Sequence, residues 1–294
     1  MDYLSHFSTA LADRVAAAAP MVVALRLGER SRAGILWRPD VVVTSEQLVG
    51  DHETVCVQRS GIEARAKLAG RDPGTNIAVF RLDTPLPVAP PPPAEPPRVG
   101  ALALILGADP QGAPTGRLAM VHAIGPAWHA MAGGRIDSLI RLDARLGDDE
   151  GGPVLDAAGG LLGLSTSGPR RSVVVIPTAT LARTIEPLLA DGRIARGWLG
   201  VGLEPVTLSE NLIAAAGQRR GAMVLSVAPG APAARAGVMA GDILLDIEGR
   251  AFGQRRPVSL FMGPERIGQS VAVRLSRAGE IRTVSIVIAA RPGA

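Results

Sequence analysis

Three adjacent carboxylates form the densest group of ionisable side chains in the sequence. Asp148, Asp149 and Glu150 follow one another directly. Their oxygens could together bind a hard cation such as Ca²⁺ or Mg²⁺. No other residues at ligand spacing accompany them, so an acidic, solvated loop is the favoured interpretation. We therefore expect neither a metal ion nor another cofactor.

A second candidate site depends on backbone groups. The segment Trp198-Leu199-Gly200-Val201 is typical of a turn that points N–H groups at a carboxylate, and Gly200 permits a close approach. The strand that follows, residues 201–203, offers an edge to which a peptide can add as a further strand. The segment therefore predicts a peptide-binding site. The alternative is a small β-domain used only for packing or assembly.

The elements that must position these residues are mainly β-strands. Short apolar or alternating runs, bounded by turn residues, recur between residues 21 and 176. Many short strands at this spacing favour an all-β barrel or sandwich. The runs are Met21–Leu27, Val41–Thr44, Thr54–Gln58, Ile77–Leu82, Ala101–Leu106, Arg117–Ile124, Leu161–Ser165 and Val173–Ile176.

A proline-rich segment interrupts this β-pattern between Thr84 and Arg98. Because proline lacks the N–H that a strand ladder needs, we interpret the segment as a stiff polyproline spacer between two halves of a β-domain. Recognition by a proline-reading domain is the alternative.

A helical pattern covers residues 178–190. Thr178 is a candidate cap at its start, and Gly192 follows its end. A second β-pattern begins at Gly197, which places a domain boundary near residues 191–196.

Composition excludes several classes of protein. With 47% hydrophobic and 20% charged residues, the 294-residue chain has enough apolar material for a core and is not intrinsically disordered. The net charge of +4 and the aromatic fraction of 3% do not favour a nucleic-acid partner. The single Cys56 excludes an internal disulfide and a multi-cysteine zinc site.

Hydropathy predicts no membrane span, since the longest apolar run, residues 15–25, is shorter than a bilayer needs. The first residues lack the basic region that precedes the hydrophobic stretch of a signal peptide. We therefore expect a cytoplasmic protein, or an exported one if the chain has been trimmed.

The C-terminal segment resembles a bacterial-type PDZ domain over essentially its whole length. The resemblance is carried by residues 196–201 (Arg-Gly-Trp-Leu-Gly-Val), 228–237 (Ala-Pro-Gly-Ala-Pro-Ala-Ala-Arg-Ala-Gly) and 240–249 (Ala-Gly-Asp-Ile-Leu-Leu-Asp-Ile-Glu-Gly). It implies that protein or peptide C-termini bind at Trp198 to Val201, with Leu260 on a helix that lines the groove.

The N-terminal segment resembles the HtrA/Deg type of trypsin-like serine protease, in which PDZ domains follow in this order. Residues 42–49 (Val-Val-Thr-Ser-Glu-Gln-Leu-Val), 72–79 (Asp-Pro-Gly-Thr-Asn-Ile-Ala-Val) and 148–154 (Asp-Asp-Glu-Gly-Gly-Pro-Val) are similar to its catalytic segments. The resemblance implies a mostly β fold, with a trypsin-like double β-barrel followed by an α+β PDZ domain. It assigns residues 1–194 to the protease fold with its linker helix, and 195–294 to PDZ.

The departures from this family lie at its catalytic positions. Gln47 stands where the family has histidine, Asn76 where it has aspartate, and Glu150 where it has the nucleophilic serine. An amide cannot serve as the base that serine attack requires, and loss of one triad member typically costs about 10⁴-fold in rate. Negative charge at residues 148–150 also opposes an oxyanion.

The sequence therefore predicts a pseudoprotease that is not an enzyme. It would bind peptides or protein partners as a scaffold, regulator or chaperone-like protein. A serine endopeptidase with residual or unconventional activity is the alternative. Gln47, Asn76 and Glu150 are expected to form a mutually hydrogen-bonded cluster.

Other candidate nucleophiles and bases are not favoured. Ser165 and Ser167 follow a strand that the resemblance assigns to the specificity pocket, and Cys56 lies in a strand pattern. The histidines fall outside the family's catalytic positions: His6, His52, His122 and His129.

Assembly is predicted from the N-terminus. The family commonly forms trimers through N-terminal aromatic contacts, and Tyr3 and Phe7 precede the first predicted strand. The resemblance therefore implies a homotrimer, and a frayed terminus with incidental aromatic residues is the alternative.

Overall fold

The structure is a computed structural model that describes residues 2–92, 94–130, 132–168, 172–252 and 262–292. It divides into two compact units. The first unit comprises residues 1–130 and 134–194, and the second comprises residues 131–133 and 195–294.

The first unit begins with a closed antiparallel barrel in the order β1-β2-β3-β6-β5-β4. Alternation of buried and exposed residues along β5 matches the period-2 geometry of a strand with one face in the core. The six strands are β1 (Val22–Leu27), β2 (Arg30–Arg38), β3 (Val41–Ser45), β4 (Thr54–Arg59), β5 (Ile62–Asp72) and β6 (Ile77–Leu82).

A second closed barrel completes this unit, in the order β11-β14-β13-β12-β7-β8. A short ribbon, β9 (Trp128–His129) with β10 (Arg135–Ile136), lies outside it. The barrel strands are β7 (Leu102–Ala108), β8 (Pro114–Gly125), β11 (Leu139–Leu142), β12 (Pro153–Asp156), β13 (Leu161–Ser167) and β14 (Val173–Pro177). The predicted mostly β fold with a double barrel is confirmed.

The proline-rich segment connects β6 to β7, and its described residues contain no helix or strand. The buried Leu86 anchors it. Arg59 Nη1 donates to the carbonyl of Pro87 at 2.6 Å, and the amide of Glu95 donates to Asp156 Oδ2 at 3.0 Å. The spacer therefore contacts both barrels.

Two helices flank the barrels. Helix α1 (Tyr3–Ala18), which the sequence did not predict, is capped by Asp2, whose Oδ1 accepts the amide of Leu4 at 3.1 Å. Helix α2 (Thr178–Asp191) matches the predicted helix and ends at Gly192. The prediction of a Thr178 cap is wrong, because the N-cap is Pro177, which makes no side-chain hydrogen bond.

The second unit is built on an antiparallel sheet in the order β16-β17-β18-β20-β21, with β19 paired to β18. Within the described residues β16 pairs only with β17, so its other edge is unpaired. The strands of this unit are β15 (Gly197–Trp198), β16 (Val201–Thr207), β17 (Arg220–Val227), β18 (Ile243–Ile247), β19 (Arg250–Ala251), β20 (Ser270–Arg277), β21 (Glu280–Val287) and β22 (Ala289–Ala290).

Among the described residues of this unit, two short helices occur, α3 (Glu210–Ala216) and α4 (Pro232–Arg235). Three turns of 3₁₀ helix occur along the described chain, at Ala19–Met21, Glu46–Leu48 and Pro264–Arg266.

Candidate functional site

The two barrels bring together a group of hydrogen-bonded side chains, here called the polar cluster: Ser45, Gln47, Asn76, Glu150, Thr166 and Ser167. Gln47 lies on the 3₁₀ turn that follows β3, and Asn76 ends the connection between β5 and β6. Glu150 precedes β12, whereas Thr166 and Ser167 end β13. Closure of both barrels is therefore required to assemble the cluster.

Asn76 fixes the position of Gln47. Its Oδ1 accepts the Gln47 amide at 2.9 Å, and its carbonyl accepts the amide of Glu46 at 3.2 Å. Asn76 has φ 57°, in the left-handed region that asparagine tolerates better than most residues. Asn76 thus holds the turn by accepting two backbone amides, one with its side chain and one with its own carbonyl.

Glu150 is the buried carboxylate of the cluster, with 9% of its surface exposed. Its Oε1 accepts the Gln47 side-chain amide and the backbone amide of Ser167, the latter at 2.9 Å. Its Oε2 accepts the hydroxyl of Ser167 at 2.9 Å. The donors that reach this carboxylate from the described residues are therefore neutral.

Thr166 links the remaining members. Its buried Oγ1 accepts Asn76 Nδ2 at 2.6 Å and Gln47 Nε2 at 3.2 Å, and lies 3.1 Å from Ser45 Oγ. Sequence reasoning did not include Thr166, and it placed Ser167 away from the reactive position. The hydroxyl-rich end of β13, residues 165–167, was the available signal.

The cluster's hydrogen bonds involve no imidazole. His52, the histidine nearest to Gln47 in sequence, has its Nδ1 2.9 Å from the carbonyl of Val49. Because an amide cannot accept the proton of an attacking hydroxyl, these groups cannot perform histidine-based triad chemistry. Within the polar cluster, the carboxylate of Glu150 is the group that can accept a proton.

The acidic loop, residues 147–152, is held by ion pairs. Arg32 pairs with Asp148, and Arg117 Nε lies 3.0 Å from Asp149 Oδ2. The predicted solvated loop is wrong for Asp149 and Glu150, which are buried, and right only for Asp148. Burial follows because the loop packs between the barrels.

Two further contacts define the loop. The amide of Glu150, at the position of a potential oxyanion donor, faces the carbonyl of Gly147 at 3.4 Å. A Cβ on Gly151, which has φ 92°, would lie 2.3 Å from Thr44 Oγ1.

Across the described residues no group of three or more His, Cys, Asp or Glu side chains is placed to hold a metal ion.

The second unit contains the 198–201 turn. Leu199 is buried in the core, so its side chain does not face a ligand. The carbonyls of Leu199 and Gly200 accept the amides of Ala233 and Ala228, at 2.9 and 2.8 Å. Among the described residues, no acceptor pairs with the amides of Leu199 and Gly200. Leu260, the remaining predicted groove residue, lies outside the described residues.

The turn depends on glycine at position 200. Gly200 has φ 80°, and a Cβ there would lie 2.1 Å from the Cβ of Ala231 and 3.1 Å from the Trp198 ring. The chain therefore folds back tightly, and its two unpaired amides stand beside the free edge of β16.

Comparison with known domains matches each unit separately. Residues 32–164 match the model of the trypsin-like peptidase domain, and residues 197–288 match that of the PDZ domain. The chain therefore contains a trypsin-like peptidase domain followed by a C-terminal PDZ domain. This part of the prediction is confirmed.

Curated relatives of the chain carry the name "Probable periplasmic serine endoprotease DegP-like". The protein from Brucella suis biovar 1 (strain 1330) is 28% identical over 263 residues, covering 85% of this chain and 50% of the relative. That from Rhizobium meliloti (strain 1021) is 29% identical over 266 residues, covering 85% and 51%. The chain spans about half the length of these curated relatives.

Solved structures share the fold over nearly the whole chain. The serine endoprotease from Yersinia pestis is 26% identical, with a TM-score of 0.69, covering 96% of this chain and 98% of that chain. The HtrA-type protease AlgW with decapeptide, at 23% identity and a TM-score of 0.71, covers 96% and 99% and shows the fold alone.

Two predictions are corrected by these comparisons. The prediction that the protein is not an enzyme is overturned, because the relatives are named serine endoproteases. Substitution at three positions excludes one mechanism and leaves other combinations of groups open. The predicted cytoplasmic location is also wrong, because the relatives are named periplasmic. Signal peptides are removed from mature proteins, so the lack of one does not establish the compartment.

No helix among the described residues has both the length and the apolar character that crossing a membrane requires.

Proposed function

We propose that this protein captures polypeptides outside the cytoplasm and acts on them as a serine-type endopeptidase with an unconventional site. Capture begins in the second unit, where Trp198 to Val201 bind a free C-terminus and Leu260 contributes to the groove. The unpaired amides of Leu199 and Gly200 support this role. Backbone N–H groups converging on one point bind anions well.

The rest of the captured peptide adds to β16. This strand has an unpaired edge among the described residues, and its hydrogen-bonding groups would bind the peptide regardless of its sequence. The exposed side chains along the edge would then select alternate side chains of the peptide.

Hydrolysis would take place in the first unit. The names of the relatives support a protease, whereas Gln47, Asn76 and Glu150 require chemistry that does not use a histidine base. The buried Glu150 carboxylate, hydrogen-bonded to an exposed hydroxyl, is the feature that supports such chemistry.

Capture is tested with peptides that have free or amidated C-termini, and binding to the full chain is measured by isothermal titration calorimetry. We expect the free form to bind at least tenfold more tightly, and equal binding would contradict a carboxylate turn. Gly200→Ala should weaken binding at least tenfold, because its Cβ would meet Ala231. Gly230→Ala is the matched control, with φ 67° and no atom within 4 Å of the added Cβ.

Hydrolysis is tested by incubating the full chain with unfolded casein. Time-dependent fragments, lost in Glu150→Gln, would support the endopeptidase. Retained peptide binding without any fragments would overturn the endopeptidase part and leave only capture.

We also propose a homotrimer assembled through helix α1. Tyr3 is 90% exposed and Phe7 is 45% exposed, so both rings are available to another copy. Light scattering should show a trimer for the full chain and a monomer after removal of residues 1–10. A monomer in both cases would contradict the assembly.

A further inference from the structure

We propose that Ser167 and Glu150 form a nucleophile–base pair that takes up acyl groups, from activated esters rapidly and from polypeptides slowly. The pair deepens the proposed endopeptidase function and rests on it for the polypeptide substrate. Ser167 is not at the position of the nucleophilic serine of trypsin-like proteases. Glu150 occupies that position in this chain.

The two oxygens of Glu150 have separate roles. Oε1 accepts the Gln47 side chain, the amide of Ser167 at 2.9 Å and the Thr166 hydroxyl at 3.4 Å. Among the described residues, Oε2 accepts only the Ser167 hydroxyl, at 2.9 Å. The contacts at Oε1 therefore fix the carboxylate, and Oε2 stays directed at Ser167 Oγ.

Exposure places the reactive atom where a substrate can reach it. Ser167 is exposed, whereas Glu150 is buried behind it. A carboxylate shielded from water and aligned on a hydroxyl satisfies the geometric requirement for general-base catalysis.

No basic side chain of the described residues pairs with this carboxylate. Arg32 and Arg117 pair with Asp148 and Asp149, and among the described residues no basic side chain lies within ion-pair distance of Glu150. A neighbouring cation would favour the charged form and weaken the base. Arg32 and Arg117 are therefore engaged with the neighbouring aspartates of the acidic loop.

The reaction balances with water as the second substrate. Ser167 Oγ bonds to the carbonyl carbon while its proton passes to Glu150 Oε2. The carbonyl π electrons move to the oxygen. Collapse of this intermediate breaks the bond to the leaving group, which receives the proton from Glu150. Water then attacks the acyl-serine, giving its proton to Glu150, which returns it to Ser167 Oγ.

Backbone contacts favour activated esters over amides. The amide of Gly168 donates to the carbonyl of Ser172 at 2.7 Å, while those of Ser167 and Glu150 are also engaged. These amides are not free to stabilise an oxyanion. One such donor typically accelerates acyl transfer by about 10²–10³-fold. An ester with a good leaving group needs this assistance least.

A fluorophosphonate probe and p-nitrophenyl acetate, applied to the full chain, test the pair. We expect mass spectrometry to locate the probe on Ser167, with labelling lost in Ser167→Ala. The rate of acylation should fall about 100-fold in Glu150→Gln, because general-base assistance contributes at least this much. Glu150→Asp, which withdraws the carboxylate from Ser167, should also slow acylation if the variant folds.

Ser5 provides a matched control. Its exposed hydroxyl donates to Asp2 Oδ2 at 2.7 Å, but Asp2 is exposed to water. Ser5→Ala should acylate at the rate of the parent chain. A purely structural role for Ser167 or Glu150 would change unfolding temperature without changing the labelled residue.

The outcomes separate this pair from the proposed function. Cleavage of casein without labelling of Ser167 would overturn the pair and leave the endopeptidase standing. Labelling of Ser167 without cleavage of casein would support the pair and overturn the endopeptidase. Equal labelling of the parent chain and Ser167→Ala would also overturn the pair.

Discussion

Glu150 in the first unit and Asp242 in the second are both buried carboxylates, but their partners differ. Asp242 accepts Arg277 Nε and Nη2, each at 2.7 Å, and the amide of Met239 at 2.9 Å. Glu150 accepts only neutral donors among the described residues.

The difference separates a structural carboxylate from a reactive one. Burial raises the pKa of Asp242, but the hydrogen bonds of Arg277 and Met239 outweigh burial and hold the pKa below its ordinary value. Asp242 therefore keeps its charge and stabilises the fold. Glu150 is hydrogen-bonded to a hydroxyl that can give up its proton, so it can take part in a reaction.

Removal of Asp242 should have the largest effect on stability. Asp242→Ala leaves Arg277 without its partner and the amide of Met239 without an acceptor. We expect the free energy of unfolding to fall by about 3 kcal/mol, the lower end of the range for breaking a buried ion pair, because Arg277 keeps access to water. Urea denaturation measures this change. Glu150→Gln, which keeps the shape, should cost about 1 kcal/mol or less, and an equal loss in both variants would abolish the distinction.

Acid should reveal the same distinction. The pKa of Asp242 is lower in the folded protein than in the unfolded chain, where it is about 3.9. The contribution of Asp242 to the free energy of unfolding is therefore complete above the unfolded pKa and is lost as pH falls through the folded pKa. Thermal unfolding between pH 5 and pH 2 checks this, with Arg277→Met expected to reduce the acid sensitivity. Burial raises the pKa of Asp137 in the first unit, but hydrogen bonds from Arg183 and Thr180 outweigh burial and lower that pKa. Asp137 should therefore add to the loss of stability in acid. Unchanged acid sensitivity in Arg277→Met would contradict the role of Arg277.

The ion pair of Arg117 with Asp149 should have the smallest effect. The Arg117 side chain is 50% exposed, so Arg117→Ala should cost about 1 kcal/mol or less. Denaturation at low and high salt measures the pair. A loss comparable with that of Asp242→Ala would show that the acidic loop, like Asp242, depends on a strong ion pair.

Much of the fold follows from local patterns in the sequence. Alternating residues along β5 and continuous apolar residues in β3 and β14 identify strands, and the helical spacing in residues 178–190 identifies α2. Helix α1 is less evident because its apolar face is short: Leu11 and Val15 are only partly buried against the core, and Ala18 alone is fully buried. Its available signals were Asp2 as an N-cap and the alanine-rich sequence.

The candidate site is less accessible from sequence. The family resemblance identifies Gln47, Asn76 and Glu150, but it does not identify Thr166, which is buried, or Ser167, which is exposed, at the end of β13. It does not show that the carboxylate of Glu150 reaches Ser167, because that contact joins residues 17 positions apart and requires the acidic loop to fold between the barrels. Tertiary packing decides it.

The rate of acylation by p-nitrophenyl acetate compares the two carboxylates most directly. Glu150→Gln should lower it about 100-fold, whereas Asp242→Asn, measured at a temperature where it remains folded, should leave it unchanged. Acylation of Glu150→Gln at the rate of the parent chain would contradict the assignment of Glu150 as the reactive carboxylate.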